Sequence, residues 1–314
     1  MSKIHEALNK IQGTQKSWSK NAGSDPDPDS ADTAVIARLV DHAIDDEAVD
    51  SNNRILHLDQ TALRDAGLIA PADHTELLAN QYRDIKRPLI SHAFGKRATR
   101  VEHGNLIMVT SAVAGEGKTF TSINLALSMS QERDHSVLLV DADVAKPHIS
   151  RMFGAENEPG LLDVLESGNL DLRSVILPTD VPGLSVLPAG KSRANASELL
   201  ASDAMENVVA ELSSSTTRRI VILDSPPLLQ TSEAKVLARL SGQIAVVVRA
   251  EHTPRDVVES ALASLNQEQA VNLILNQARF ASNKYQFAYG YGYDQSETTF
   301  SNDSARKKNA DVFD

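Results

Sequence analysis

Leu106 to Phe120 reads LIMVTSAVAGEGKTF, an uninterrupted apolar run, then Gly115-Glu116-Gly117-Lys118-Thr119, then the start of a helical pattern. Glycines let the backbone approach phosphate oxygens closely, and the following helix adds the positive end of its dipole. Lys118 is placed to reach the β- and γ-phosphates of a nucleotide, and the Thr119 hydroxyl to ligate Mg²⁺. Ala114, Gly115, Glu116, Gly117, Lys118, Thr119 and Phe120 are therefore the candidate nucleotide-binding set. The usual spacing asks for glycine five residues before Gly117, and Ala112 stands there.

Two further apolar runs end in acid. Val137–Asp143 reads VLLVDAD, and Ile220–Asp224 reads IVILD before Ser225-Pro226-Pro227. Ligands of parallel sheets bind beyond the carboxyl ends of the strands, so Lys118, Asp141, Asp143 and Asp224 are expected at one sheet edge. A lone Asp at a strand end is more often a helix cap. Three beside a phosphate loop point to phosphoryl transfer by positioning and charge neutralisation through Mg²⁺. Thr119, Asp143 and Asp224 are the candidate metal residues, and Asp141 is the first candidate for the proton acceptor. Asn276, at the end of the last apolar run, is a candidate for the adenine side.

These side chains need a frame. Apolar runs at Leu106–Thr110, Val137–Asp141, Leu184–Leu187, Ile220–Asp224, Ile244–Val248 and Leu273–Asn276 are mostly continuous, as strands covered on both faces are. Helical stretches at Phe120–Gln131, Ser197–Leu212 and Pro254–Gln267 lie between them. Strand–helix alternation predicts an α/β fold with a doubly wound, mostly parallel sheet. Leu77, Tyr82, Ile85 and Leu89 predict a further amphipathic helix running towards Phe94.

The chain has 314 residues and a net charge of −11. Residues 25–50 hold eight Asp and one Glu against Arg38, a net −8, which leaves −3 for all the rest. With Asp25-Pro26-Asp27-Pro28-Asp29 inside it, 13–74 reads as an acidic, largely disordered linker. It follows a short amphipathic N-terminal helix over 1–12, built on Ile4, Leu8 and Ile11. The organised domain is expected over 75–280 and a flexible tail over 281–314. Four of the five tyrosines, Tyr285, Tyr289, Tyr291 and Tyr293, lie within nine tail positions. The acidity argues against nucleic acid as a partner. The absence of cysteine removes disulfides, thiolate metal sites and iron–sulfur clusters. Neither a signal peptide nor a membrane-spanning run is visible, so a cytoplasmic chain, peripheral to the inner membrane only through a partner, is expected.

Together the motifs resemble the bacterial tyrosine kinases, the P-loop autokinases that control exopolysaccharide synthesis and export. Ser111 to Thr119 matches that family's Ser-x-x-x-Gly-Glu-Gly-Lys-Ser/Thr loop. Asp141-Ala142-Asp143-Val144-Ala145-Lys146-Pro147 matches its second motif, with Ala145 where an Arg is usual, and Asp224 to Pro227 matches its third. Asn80-Gln81-Tyr82-Arg83 is similar to the family's oligomerisation motif, with Asn80 in place of Glu; Tyr82, Arg83 and Arg87 are its candidate residues. The opening Met1–Leu8 resembles the branch linked to exosortase loci.

The resemblance implies a P-loop fold of the partition-ATPase and nitrogenase-reductase type, ATP and Mg²⁺ as cofactors, and autophosphorylation of the tyrosine cluster between subunits. It also implies a ring-like homo-oligomer, a membrane-embedded chain-length co-polymerase as activating partner, and a tyrosine phosphatase. Two other readings are a partition or positioning ATPase and a nucleotide-binding scaffold without kinase activity. The first needs its signature lysine at position 113, where Val113 stands, and the nitrogenase-reductase relatives need cysteines.

Overall fold

The computed structural model describes residues 55–68, 76–96, 100–213, 218–266 and 269–278. The expected N-terminal helix, most of the acidic linker and the four tail tyrosines lie outside the described residues. Seven strands are described: β1 (Leu106–Ser111), β2 (Ser136–Asp141), β3 (Leu177–Pro178), β4 (Leu184–Leu187), β5 (Arg219–Asp224), β6 (Gln243–Arg249) and β7 (Ala270–Asn276). They form one sheet in the order β3-β4-β2-β5-β1-β6-β7, parallel except for β3 against β4. The doubly wound sheet expected from the apolar runs is therefore present. All six β1 residues are buried, as helices on both faces require.

Nine α-helices accompany them among the described residues: α1 (Gln60–Asp65), α2 (Glu76–Phe94), α3 (Lys118–Ser130), α4 (His148–Met152), α5 (Leu161–Ser167), α6 (Ala196–Leu200), α7 (Asp203–Ser213), α8 (Ser232–Leu240) and α9 (Arg255–Ala263). Two apolar clusters fill the two sides of the sheet. One joins Leu106, Met108 and Leu138 to α5, α7 and α8; the other joins Ile107, Val109 and Leu139 to α2 and α3. Adjacent residues of a strand thus feed opposite cores.

Two expectations change. The single helix expected over Ser197–Leu212 is broken into α6 and α7. Ser202 Oγ donates to Leu199 O at 2.7 Å, and a serine bonded to nearby backbone competes with the helical ladder. Helix α9 starts at Arg255, one residue later than expected. Pro254 takes the capping position, with ψ 147°.

The larger change concerns the segment 13–74, of which residues 55–68 are ordered against the body. Leu56 N donates to Pro178 O at 2.8 Å, and Leu58 N to Asp180 Oδ1 at 3.1 Å. Asp59 caps α1 by accepting from Thr61 N and Ala62 N. Leu58, Leu63 and Leu68 are all buried in the cluster beneath α2 and α3. These three leucines were hidden in the sequence because their spacing of five follows neither the helical nor the strand period.

Helix α2 is held to α3 by polar contacts as well as packing. Lys86 is 5% exposed; its Nζ donates to Ser128 O at 2.6 Å and pairs with Glu132 at 2.7 Å. Tyr82 is equally buried, and burial pushes its hydroxyl up to about 12, with Thr121 and Asn124 beside it. Among the described residues no helix is long and apolar enough to cross a membrane. Because Leu63 is 2% exposed, Leu63→Ala is expected to cost about 2–5 kcal/mol. Urea denaturation measures this, and an unchanged midpoint would show that 55–68 does not belong to the folded body.

Candidate functional site

Three central strands deliver the chemistry. In the register, Asp224 lies opposite both Asp141 of β2 and Val109 of β1, so two carboxylates and the start of the phosphate loop share one edge. The loop leaves β1 after Ser111 and enters α3 at Lys118. Gly115 and Gly117 sit at φ 85° and 93°, the left-handed region that glycine enters without steric cost. Gly117 is doubly constrained: a Cβ there would lie 2.1 Å from Asn276 Nδ2.

Asn276 itself donates from Nδ2 to Glu116 O at 2.9 Å. The residue expected on the adenine side thus braces the phosphate loop from the end of β7. The Glu116 side chain braces it a second time. Oε2 accepts from Val113 N at 2.8 Å, while Oε1 accepts from Arg249 N at 3.3 Å and from Thr253 Oγ1. Ala114 and Gly115 are exposed at the loop's crown, and a cavity of about 340 Å³ opens between them and Arg249, His252 and Thr253. Phe120 turns away from the loop and packs with the cluster under α2. Ala112, where glycine is usual, is fully buried.

Lys118 Nζ donates to Asp143 Oδ2 at 2.6 Å, with both side chains almost covered. Thr119 Oγ1 donates to Asp224 Oδ2 at 2.8 Å, and Ser122 Oγ to Asp224 Oδ1 at 3.0 Å. Burial pushes the Asp224 carboxyl up, and Lys118, Thr119 and Ser122 pull against it. Asp141 is fully buried; burial raises it to about 7, against two hydrogen bonds from Ser150 that lower it. Its Oδ2 accepts from Ser150 N at 2.8 Å and Ser150 Oγ at 2.7 Å, whereas Oδ1 is buried without a donor. The structure therefore brings together Lys118, Thr119, Asp141, Asp143 and Asp224 as the sequence predicted.

Among the described residues no cluster of three or more metal-ligating side chains stands ready-made. A hydroxyl beside a carboxylate, with a second carboxylate on the neighbouring loop, suits a hard cation that keeps waters and phosphate oxygens as most of its ligands. Thr119, Asp224 and Asp143 fit Mg²⁺ in that sense.

Ser122 and Ser150 escaped the sequence reading. Ser122 had a signal, since it lies four residues after Lys118 and so on the same face of α3. Ser150 had none. The oligomerisation triplet divides: Tyr82 is turned into the chain's own core, so it is not available to a second subunit. Arg83 and Arg87 are exposed, with Arg83 Nη1 on Asn80 Oδ1 at 2.7 Å and Arg87 beside Asp84 at 3.7 Å.

A family model described as an AAA domain matches residues 104–276, more than half of the chain. Tyrosine-protein kinase ptk of Acinetobacter johnsonii is 36% identical over 163 residues, which cover 52% of this chain and 22% of that protein. Tyrosine-protein kinase wzc of Salmonella typhimurium is 30% identical over 226 residues, 71% of this chain and 30% of that one. The chain thus spans less than a third of the length of these curated relatives. Among solved structures, the kinase domain of the Escherichia coli tyrosine kinase ETK is 28% identical with a TM-score of 0.56, covering 77% of this chain and 88% of its own. The VpsO kinase domain is 32% identical with a TM-score of 0.52, and is covered over 100% of its length by 63% of this chain. Carrying an AAA domain and covering a homologous kinase domain from end to end, this chain belongs to the bacterial tyrosine kinases.

Proposed function

We propose that the chain is an ATP-dependent protein-tyrosine autokinase that phosphorylates its own C-terminal tyrosine cluster between subunits. We further propose that it regulates the length, synthesis or export of an exopolysaccharide. The observation that carries this reading is Asp141 Oδ1, a buried carboxylate oxygen without a donor, on the strand end opposite the Asp224 that holds Thr119. A buried acceptor without a partner is costly, and a substrate hydroxyl is the kind of donor that would complete it.

In the proposed reaction a tyrosine hydroxyl on a neighbouring tail gives its proton to Asp141 as its oxygen bonds to the γ-phosphorus. The bond from that phosphorus to the β–γ bridging oxygen breaks, and ADP leaves. Lys118 exchanges Asp143 for the phosphates. Asp143, Asp224 and Thr119 would hold Mg²⁺, which neutralises charge on the phosphate oxygens when bound. Glu116 and Asn276 keep the loop's N–H groups aimed at the phosphates without touching them. The acceptors are Tyr285, Tyr289, Tyr291 and Tyr293. Exposed Arg83 and Arg87 are offered to a second copy in a ring-like assembly. The proposed outside partners are a membrane-embedded co-polymerase that activates the kinase and holds it at the inner membrane, and a tyrosine phosphatase that resets it.

Incubation with Mg-ATP is expected to place phosphate on the tail, mapped by mass spectrometry. Lys118→Met is expected to abolish it in isolation yet to serve as substrate when mixed with wild type. An unmodified tail, or a Lys118→Met tail that stays unmodified in the mixture, would refute the reading. Each phosphotyrosine adds a charge of about −1.5 to −2, so a filled tail is expected to favour dissociation. Light scattering before and after phosphorylation checks this, and equal sizes contradict it.

Keeping Asp141 buried has a cost in stability. Its folded-state pKa lies near 7, above that of an unfolded aspartate, so the folded chain holds the proton more tightly. The resulting stability is complete below the ordinary carboxylate range and is lost as pH rises through about 7. Without nucleotide, Asp141→Asn is therefore expected to raise Tm over wild type at about pH 8 and to leave it nearly unchanged at about pH 4. Scanning calorimetry at both values decides, and an equal Tm at the higher pH would contradict the cost.

A further inference from the structure

Ser150 lies in the five-residue helix α4 and is 2% exposed. The residue at that helix's capping position is Pro147, whose side chain offers no acceptor. Asp141 supplies one from β2: its Oδ2 takes the orphan N–H of Ser150 at 2.8 Å. Up to this point the arrangement is a helix end satisfied by a strand-end carboxylate.

The hydroxyl goes further. Ser150 Oγ accepts from Ala189 N at 3.1 Å and donates to Asp141 Oδ2 at 2.7 Å. A serine hydroxyl has one proton, and with Ala189 N–H filling its acceptor side that proton is directed at Asp141. The peptide that carries this N–H is itself held, because its carbonyl, Pro188 O, accepts from Leu161 N at 2.8 Å. The loop continues into the same anchor: Lys191 N donates to Asp163 Oδ2 at 3.1 Å, and Arg193 Nη2 to Asp163 Oδ1 at 3.0 Å. A chain of directed bonds therefore runs from α5 through the loop after β4 to one oxygen of Asp141.

We infer that Ser150 is a positioning residue for the phosphoryl transfer: it locks Asp141 by Oδ2 and so leaves the buried, donorless Oδ1 as the oxygen that takes the substrate hydroxyl's proton. The inference rests on the reading of Asp141 as proton acceptor. Two donors on one oxygen and none on the other is an asymmetry that capping a short helix does not require, since the backbone N–H alone does that. Without the hydroxyl the carboxylate is held by one bond and free to rotate, which spoils the approach of a reacting group more than it weakens nucleotide binding.

The test uses the full chain with Ser150→Ala, Ser150→Cys and Asp141→Asn. It measures initial rates of tail phosphorylation across Mg-ATP concentrations, and nucleotide affinity with a fluorescent ATP analogue. Ser150→Ala is expected to lower kcat about 10- to 100-fold with KM for ATP and analogue affinity within about two-fold of wild type. Ser150→Cys, a weaker donor of similar shape, is expected to fall between them. A wild-type kcat in Ser150→Ala beside a collapsed one in Asp141→Asn overturns the positioning role and leaves the acceptor reading standing. A wild-type kcat in Asp141→Asn overturns the acceptor reading and this inference with it. Parallel loss of kcat and nucleotide affinity in Ser150→Ala marks a merely structural serine and also overturns it. Should Ser150→Ala not fold, Ser150→Cys decides, and a wild-type kcat there refutes the inference.

Discussion

Three carboxylates at the ends of neighbouring strands are shielded from water, and Lys118 is the buried cation that faces them. Asp141 and Asp224 are fully covered, Asp143 is 4% exposed and Lys118 9%. Burial and the neighbouring acids push the Asp141 and Asp224 carboxyls towards the protonated form, while Lys118 pairs with Asp143. Hydroxyls make up part of the deficit: Thr119 and Ser122 for Asp224, Ser150 for Asp141. The arrangement gains most from a ligand that brings cationic charge and phosphate together. Folding stability is spent at the place where binding can recover it.

Much of this was legible in the sequence. Continuous apolar runs gave six strands because a strand buried on both faces has nowhere to put polar residues. Lys118, Thr119, Asp141, Asp143 and Asp224 could be assigned to one edge because parallel strands all end on the same side. Less visible were contacts whose partners have no fixed spacing. Ser150 meets Asp141 through a turn of eight intervening residues, and Asn276 reaches Glu116 from 160 positions away. Neither pairing leaves a period or a motif. Composition misled in one place, where the acidic character of 25–50 was extended to the nearly neutral stretch that holds Leu58, Leu63 and Leu68.

Helix α2 shows a similar limit. Its sequence offers Tyr82, Arg83 and Arg87 as one motif, but a helix presents successive residues about 100° apart, so neighbours in a motif serve different surfaces. Tyr82 and Lys86 grip α3, the helix that carries Lys118 and Thr119 at its start. Arg83 and Arg87 face outward. Whatever binds the outer face of α2 therefore bears on a helix whose inner face is fastened to the phosphate loop's own support.

The contact of Gly117 with Asn276 has a consequence for biogenesis. The loop at 112–118 emerges early, yet it is braced by a side chain at the far end of the described sheet. Strands β1, β2 and β5 can pair as they are made, and the two apolar cores can close around them. The phosphate loop must wait for β7, which among the described residues is the last strand to be synthesised and pairs with β6 alone. A nascent chain halted anywhere before residue 276 has most of a sheet but an unfinished nucleotide cradle, so competence to bind nucleotide arrives only once β7 is made.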